Sequence, residues 1–173
     1  DMDFEALPLE EINMEAYLQM ITLKTSVLLA ASLKIGAILG GGSEGNANHL
    51  YEFGKNIGIA FQVQDDYLDA FGNPEKFGKQ HGGDILANKK TFLLLKTNEL
   101  CDEDNRAILH ELLNGNTPGK VEEVVKIFSA CKVDEWAREE KEKYAHRALD
   151  HLEAIAVLSS RKQSLREFAD YLI

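Results

Sequence analysis

The chain has 173 residues, 45% of them hydrophobic and 28% charged, which suits one ordinary packed domain and excludes a disordered or collagen-like polymer. Its formal net charge of −10 opposes binding to nucleic acid or to an anionic membrane surface unless a local basic patch intervenes. No secretory leader is evident, and the most apolar stretch, 25–42, is interrupted by Lys34, serines and glycines, so a cytoplasmic protein without a membrane span is expected.

Strand signals are nearly absent and helical spacing recurs along the whole chain, which predicts an all-α protein. From about 13 to 39, Tyr17, Met20, Ile21, Lys24, Leu28, Ala31 and Ile35 share one helical stripe, and the glycines at 40–42 supply a stop. A second helix covers about 46–71, with Gly54, Ile57, Gly58, Phe61 and Leu68 on or near one face and the glycines open to close approach by a neighbour. Gly72-Asn73-Pro74 breaks it. Residues 72–88 then read as a loop, longer than a compact domain usually tolerates without a functional reason.

Helical pattern resumes from Lys89 to Leu100 and again after Asp102, with Gly115 as its close. Thr117-Pro118 reads as an N-cap followed by proline at the first helical position, opening a helix to about Cys131. Asp134 is the expected cap of the next helix, roughly 135–157, whose charged run Arg138–Lys143 is a solvated face with pairs four apart. Ser160 and Gln163 have the spacing of a capping box for a short final helix. Cys101 and Cys131 lie far apart in sequence without metal-ligand spacing, which suggests buried, reduced thiols.

The chemistry is concentrated in FQVQDDYLD at 61–69. Between Asn56 and Pro74 the only charged residues are Asp65, Asp66 and Asp69, and Gln62, Asp65, Asp66 and Asp69 share one face of a helix. Carboxylates so close repel one another, and partial burial raises the cost of ionisation unless a cation is supplied. Oxygen-only ligands select Mg²⁺, or Mn²⁺, over zinc, and Mg²⁺ typically takes one or two carboxylates together with substrate phosphates. The face therefore predicts a phosphate-bearing ligand held through metal. The following loop, GKQHGGDILANKKT at 78–91, adds Lys79, Lys89 and Lys90 as positive charge, with glycines that let the backbone approach a ligand. A third element is Lys24-Thr25, set among Ile21, Leu23, Val27 and Leu28; such a lysine either snorkels to solvent or is aimed at an anion.

Taken together, YLQMITLKT, FQVQDDYLD, and GK followed by GGD and NKKT closely resemble the C-terminal half of the trans-isoprenyl diphosphate synthases, the polyprenyl synthetase family. The matching motifs cover roughly residues 15–95. The resemblance implies an all-helical isoprenoid-synthase bundle, with 1–173 as the C-terminal portion of a single domain, usually assembled as a homodimer. It implies Mg²⁺-dependent head-to-tail condensation, in which an allylic diphosphate ionises, isopentenyl diphosphate attacks the carbocation and a proton is lost. By position, Asp65, Asp66 and Asp69 resemble the second aspartate-rich motif, Asp65 being the expected direct ligand, with Asp84 in the same acidic-basic region. Lys24, Lys79 and Lys89 resemble the cations that hold the diphosphate, and Thr25 and Gln62 the polar groups near the developing carbocation.

The sequence also departs from the family pattern. Members need an earlier aspartate-rich motif and basic residues for isopentenyl diphosphate, and this chain has neither. Its start, DMDFE, resembles the segment after the family's Gly-Gln motif, with Asp1 as the Asp that closes it, so about half of the parent protein is expected to be missing and this chain alone to be inactive. A non-catalytic subunit that keeps the bundle, and a terpene cyclase that shares fold and metal chemistry, are the competing readings. The complete second motif opposes the first, and the GK loop with the Lys24-Thr25 pair opposes the second.

Overall fold

The computed structural model describes residues 7–73, 81–115 and 117–173, and among these no strand occurs. A 3-10 turn at Leu9–Glu11 leads into α1 (Met14–Ile21), a π turn (Thr22–Ser26), α2 (Val27–Leu39) and α3 (Glu44–Phe71). The short α4 (Gly83–Leu86) is followed by α5 (Phe92–Leu100), α6 (Glu103–Asn114), α7 (Lys120–Ala130), α8 (Val133–Ala154) and α9 (Ser159–Leu172).

The chain divides into two compact units, one of Asp1–Tyr17 with Asp65–Arg138, the other of Leu18–Gln64 with Glu139–Ile173. The second unit is centred on Phe53 and Ile57 of α3, Ala148 and Leu152 of α8, and Ala169 of α9. Here α2 and α3 pack at glycines, as the sequence suggests. A Cβ at Gly54 would stand 2.9 Å from the Ala30 Cα, and one at Gly58 2.7 Å from the Ser26 Cα. Only a residue without a side chain allows the two backbones so close. In the first unit the Phe92 and Trp136 rings stack at 4.4 Å, Lys96 lies over the indole, and Leu109, Val124 and Phe128 are fully buried.

The long N-terminal helix differs from its expected form. The π turn inserts one extra residue, so burial runs Tyr17, Ile21, Ser26, Ala30, with a step of five between Ile21 and Ser26. Leu28 and Ile35, which a uniform period of 3.6 places on the same stripe as Tyr17, are exposed at 75% and 56%. By length and composition alone, Met14–Leu39 is apolar enough to cross a membrane, with a mean hydropathy of 1.5 and 17% of that window buried.

Several boundaries shift for local reasons. Within the predicted loop, α4 forms a single helical turn, and 74–80 lie outside the described residues. The helix foreseen at Pro118 begins at Lys120 instead, because Gly119 takes a left-handed conformation (φ 79°) and Thr117 accepts from the Lys120 N–H in a turn. Asp134 sits inside the first turn of α8 rather than capping it. The Ser160–Gln163 capping box does not form; α9 starts at Ser159, and Gln163 donates to Glu167. The charged run on α8 does form surface pairs, Arg138 with Asp134 and Lys143 with Glu140.

Candidate functional site

α3 positions the acidic face, and within the first unit Asp66 is its anchor. The carboxyl is 2% exposed, and its Oδ2 accepts from the Tyr17 hydroxyl at 2.6 Å and from the Phe92 N–H at 2.9 Å. The second donor is the first residue of α5, whose leading N–H groups have no partner inside the helix, so Asp66 satisfies one of them. Thr91 satisfies another, its hydroxyl accepting from the Leu94 N–H. Asp66 Oδ1 is buried and has no hydrogen-bond partner among the described residues.

Asp69, one turn on, reaches the following loop. Its Oδ2 accepts from the Asp84 N–H at 3.0 Å, and its backbone carbonyl accepts from the Gly82 N–H at 2.8 Å. Gly82 has φ 69°, and a Cβ there would stand 2.3 Å from a Val121 methyl, so the turn that returns the chain to Asp69 excludes any side chain. Asp84 in turn holds the Lys89 ammonium at 2.9 Å and, through its own carbonyl, the Lys89 N–H. The loop is steadied from α7, where the buried Lys120 ammonium donates to the Asn88 side chain.

Among the described residues, several carboxylates act on the Lys89 ammonium. Burial pushes the Asp66 carboxyl up to about 6; the hydrogen bonds from Tyr17 and Phe92 oppose that rise, while Asp84 adds to it. Asp69 is also raised, by burial first and by the Asp84 charge, against the N–H bond it receives. Burial pulls the Lys89 ammonium down, but the Asp84 hydrogen bond and the charges of Asp66, Asp84 and Asp65 outweigh it, leaving the lysine above its ordinary value. Tyr17 is driven strongly upward by burial and by Asp66, so its proton stays on the hydroxyl and donates. Among the described residues, the Lys89 ammonium acts in turn on several carboxylates, an arrangement compatible with further positive charge.

In the second unit, the Thr25 hydroxyl donates to Gln62 Oε1 at 2.8 Å. The π turn carries both Lys24, which is exposed, and Thr25, and π turns inside helices are often found where function needs a side chain re-aimed. The hydroxyl of Ser26, beside Gly58, is buried without a partner among the described residues.

The structure thus links Asp69, Asp84 and Lys89 through hydrogen bonds, ties Asp66 separately to Tyr17 and the Phe92 N–H within reach of the Lys89 and Asp84 charges, and pairs Thr25 with Gln62. Asp65 is half-buried on the same helix, and Lys79 lies outside the described residues. Tyr17 and the Phe92 N–H were not legible as site groups; Tyr17 reads as one more apolar residue, and a backbone donor leaves no mark in a sequence. Among the described residues no three His, Cys, Asp or Glu side chains converge as a ready metal cage. The donor set still fits Mg²⁺, because that ion binds through one or two carboxylates and completes its shell with water and phosphate oxygens. Asp65, Asp69 and Asp84 are the carboxylates that would hold it, while Asp66 Oδ1 is buried without a partner among the described residues.

An all-helical chain with an acidic face on one helix and a lysine-bearing segment after it is the class of protein that these features define. The polyprenyl synthetase family profile matches residues 1–131, and the chain belongs to that family. It is 35% identical over its full length to the short chain isoprenyl diphosphate synthase of Methanothermobacter thermautotrophicus, covering 52% of that protein. It is 34% identical to the geranylgeranyl diphosphate synthase of Sulfolobus acidocaldarius, again over 100% of this chain and 52% of the other. A crystal structure of geranylgeranyl pyrophosphate synthase superposes with a TM-score of 0.89 at 38% identity, over 99% of this chain and 54% of that one. The chain therefore spans about half the length of the curated relatives it matches.

Proposed function

We propose that this chain is the C-terminal portion of a single polyprenyl synthetase domain and carries the diphosphate-holding half of a prenyltransferase. The reaction is the head-to-tail condensation of isopentenyl diphosphate with an allylic diphosphate, in the cytoplasm and in a homodimeric protein. The observation that supports the reading is the hydrogen-bonded run Asp69–Asp84 N–H and Asp84–Lys89, which holds a lysine beside the carboxylates of α3.

Mg²⁺, when bound, supplies the charge that makes an acidic face a site for an anion. The chain's own groups do the rest. Lys89, and Lys24 and Lys79 in the same role, bind diphosphate oxygens and stabilise the charge that appears as the leaving group departs. Asp66 does not face outward. It fixes the start of α5 and the Tyr17 hydroxyl, and so keeps Asp65 and Asp69 in register on α3. Thr25 and Gln62 present a hydrogen-bonded polar pair, able to orient dipoles towards positive charge on the allylic carbon. A non-catalytic subunit would keep the helices without needing Asp84 to clamp Lys89, and the intact clamp favours the catalytic reading.

Calorimetry with inorganic diphosphate tests the site on this chain directly. Binding is expected only when Mg²⁺ is present, and Lys89→Met should weaken it about tenfold, or ~1.4 kcal/mol. Equal binding without the ion, or by the variant, would overturn the reading. In a condensation assay with labelled isopentenyl diphosphate and an allylic primer, this chain alone is expected to give no turnover above background, since it holds one aspartate-rich motif where the reaction needs two.

A further inference from the structure

Cys101 and Cys131 are 30 positions apart in sequence, yet their Sγ atoms stand 2.9 Å from each other, both thiols being free. That is closer than an ordinary contact between two sulfur atoms. The pair sits at a structurally defined place: Cys101 is the residue that ends α5, and Cys131 the residue that ends α7. Cys101 is buried and Cys131 is half-buried. One thiol is thus within reach of a small reagent, while the other waits directly behind it.

We propose that Cys101 and Cys131 are a redox-modifiable pair that closes an intramolecular disulfide on meeting a low-molecular-weight disulfide, clasping the ends of α5 and α7 together. The exchange balances without any other reactant. The Cys131 thiolate attacks one sulfur of the reagent R–S–S–R, breaking that bond, and the departing thiolate takes up a proton as R–SH. Cys101 then loses its proton to solvent and attacks the Cys131 sulfur of the mixed disulfide, expelling the second R–SH. Two cysteine S–H groups and one external disulfide become one cysteine disulfide and two external thiols. Burial raises the Cys101 thiol, so the second step, which needs its thiolate, quickens as pH rises.

The clasp would act on the frame of the acidic cluster. α5 begins at Phe92, whose N–H holds Asp66, and α7 carries Lys120 and Val121, which brace the loop at Asn88 and Gly82. Joining the far ends of these two helices ties the two supports of that cluster to each other.

The test treats the 173-residue chain with oxidised glutathione and reads intact mass and alkylation by iodoacetamide after unfolding. The expected product is a monomer lighter by two hydrogens with no alkylatable thiol, reverting under dithiothreitol, and melting ~5 °C or more above the reduced form. Cys101→Ser is expected to stop at a persistent glutathione adduct on Cys131. Two alkylatable thiols after treatment, a lasting glutathione adduct on the unsubstituted chain, or dimers linked through disulfides would each overturn the proposal. The mass readout on the unsubstituted chain decides it even if the serine variant fails to fold.

Discussion

Asp66 is held where ionisation is costly, and the surrounding groups reduce that cost without abolishing it. A carboxyl raised from 3.8 to about 6 in the folded chain binds its proton more tightly folded than unfolded. Its contribution to stability is therefore complete below the unfolded value and is lost as pH climbs through the folded one. In Mg²⁺-free buffer the urea midpoint is expected to fall between pH 4 and pH 7, this group accounting for ~3 kcal/mol. Asp66→Asn should flatten that part of the profile; an unchanged slope would show that Asp66 is not its source. Tyr17→Phe removes a donor from a buried carboxylate and should cost about 1–3 kcal/mol in the same titration at pH 7. Both residues show what a sequence hides. The spacing of Asp65, Asp66 and Asp69 marks a shared face, but it does not say that Asp66 turns inward to a tyrosine 49 positions earlier in the chain.

At the scale of elements, α3 was legible in its extent and in its two glycines for a close neighbour, but not in its whole face, since Phe61, expected on the apolar side, is 39% exposed. The stretch from 13 to 39 was legible as helical and misread in register. A π turn has no signature in composition, and one inserted residue swings everything after it by roughly 100° about the axis. Helix starts at 117–120, 133 and 159 were missed because candidate capping side chains compete with positive-φ glycine and plain backbone turns, and here the backbone won. Packing at the glycines offers a paired test. Gly58→Ala puts a methyl 2.7 Å from the Ser26 Cα, so the backbones must separate, and a loss of ~1–3 kcal/mol is expected. Gly36→Ala, in α2 with nothing within 4 Å of the new methyl, should gain about 0.5–1 kcal/mol through helix propensity. Equal effects on the thermal midpoint would show that the α2–α3 contact is looser than described.

For the whole molecule, Leu23, Leu28, Ile35, Ile38 and Leu39 are each more than half exposed on one helical run, a concentration of apolar side chains that soluble monomers seldom leave bare. Sedimentation equilibrium is expected to show self-association of this chain, and Leu28→Lys with Leu39→Lys to weaken it; a concentration-independent monomer would contradict this. The same run holds a less obvious consequence. Because burial steps from Ile21 to Ser26 over five residues, excising a single residue such as Leu23 would give Tyr17, Ile21, Ser26 and Ala30 steps of four, which an unbroken α-helix accommodates on one side. The shortened chain is expected to keep its packing against Gly54 and Gly58 and to shift the placement of Lys24 and Thr25. A thermal midpoint for that deletion variant equal to the parent's would show that the surplus residue is dispensable for packing.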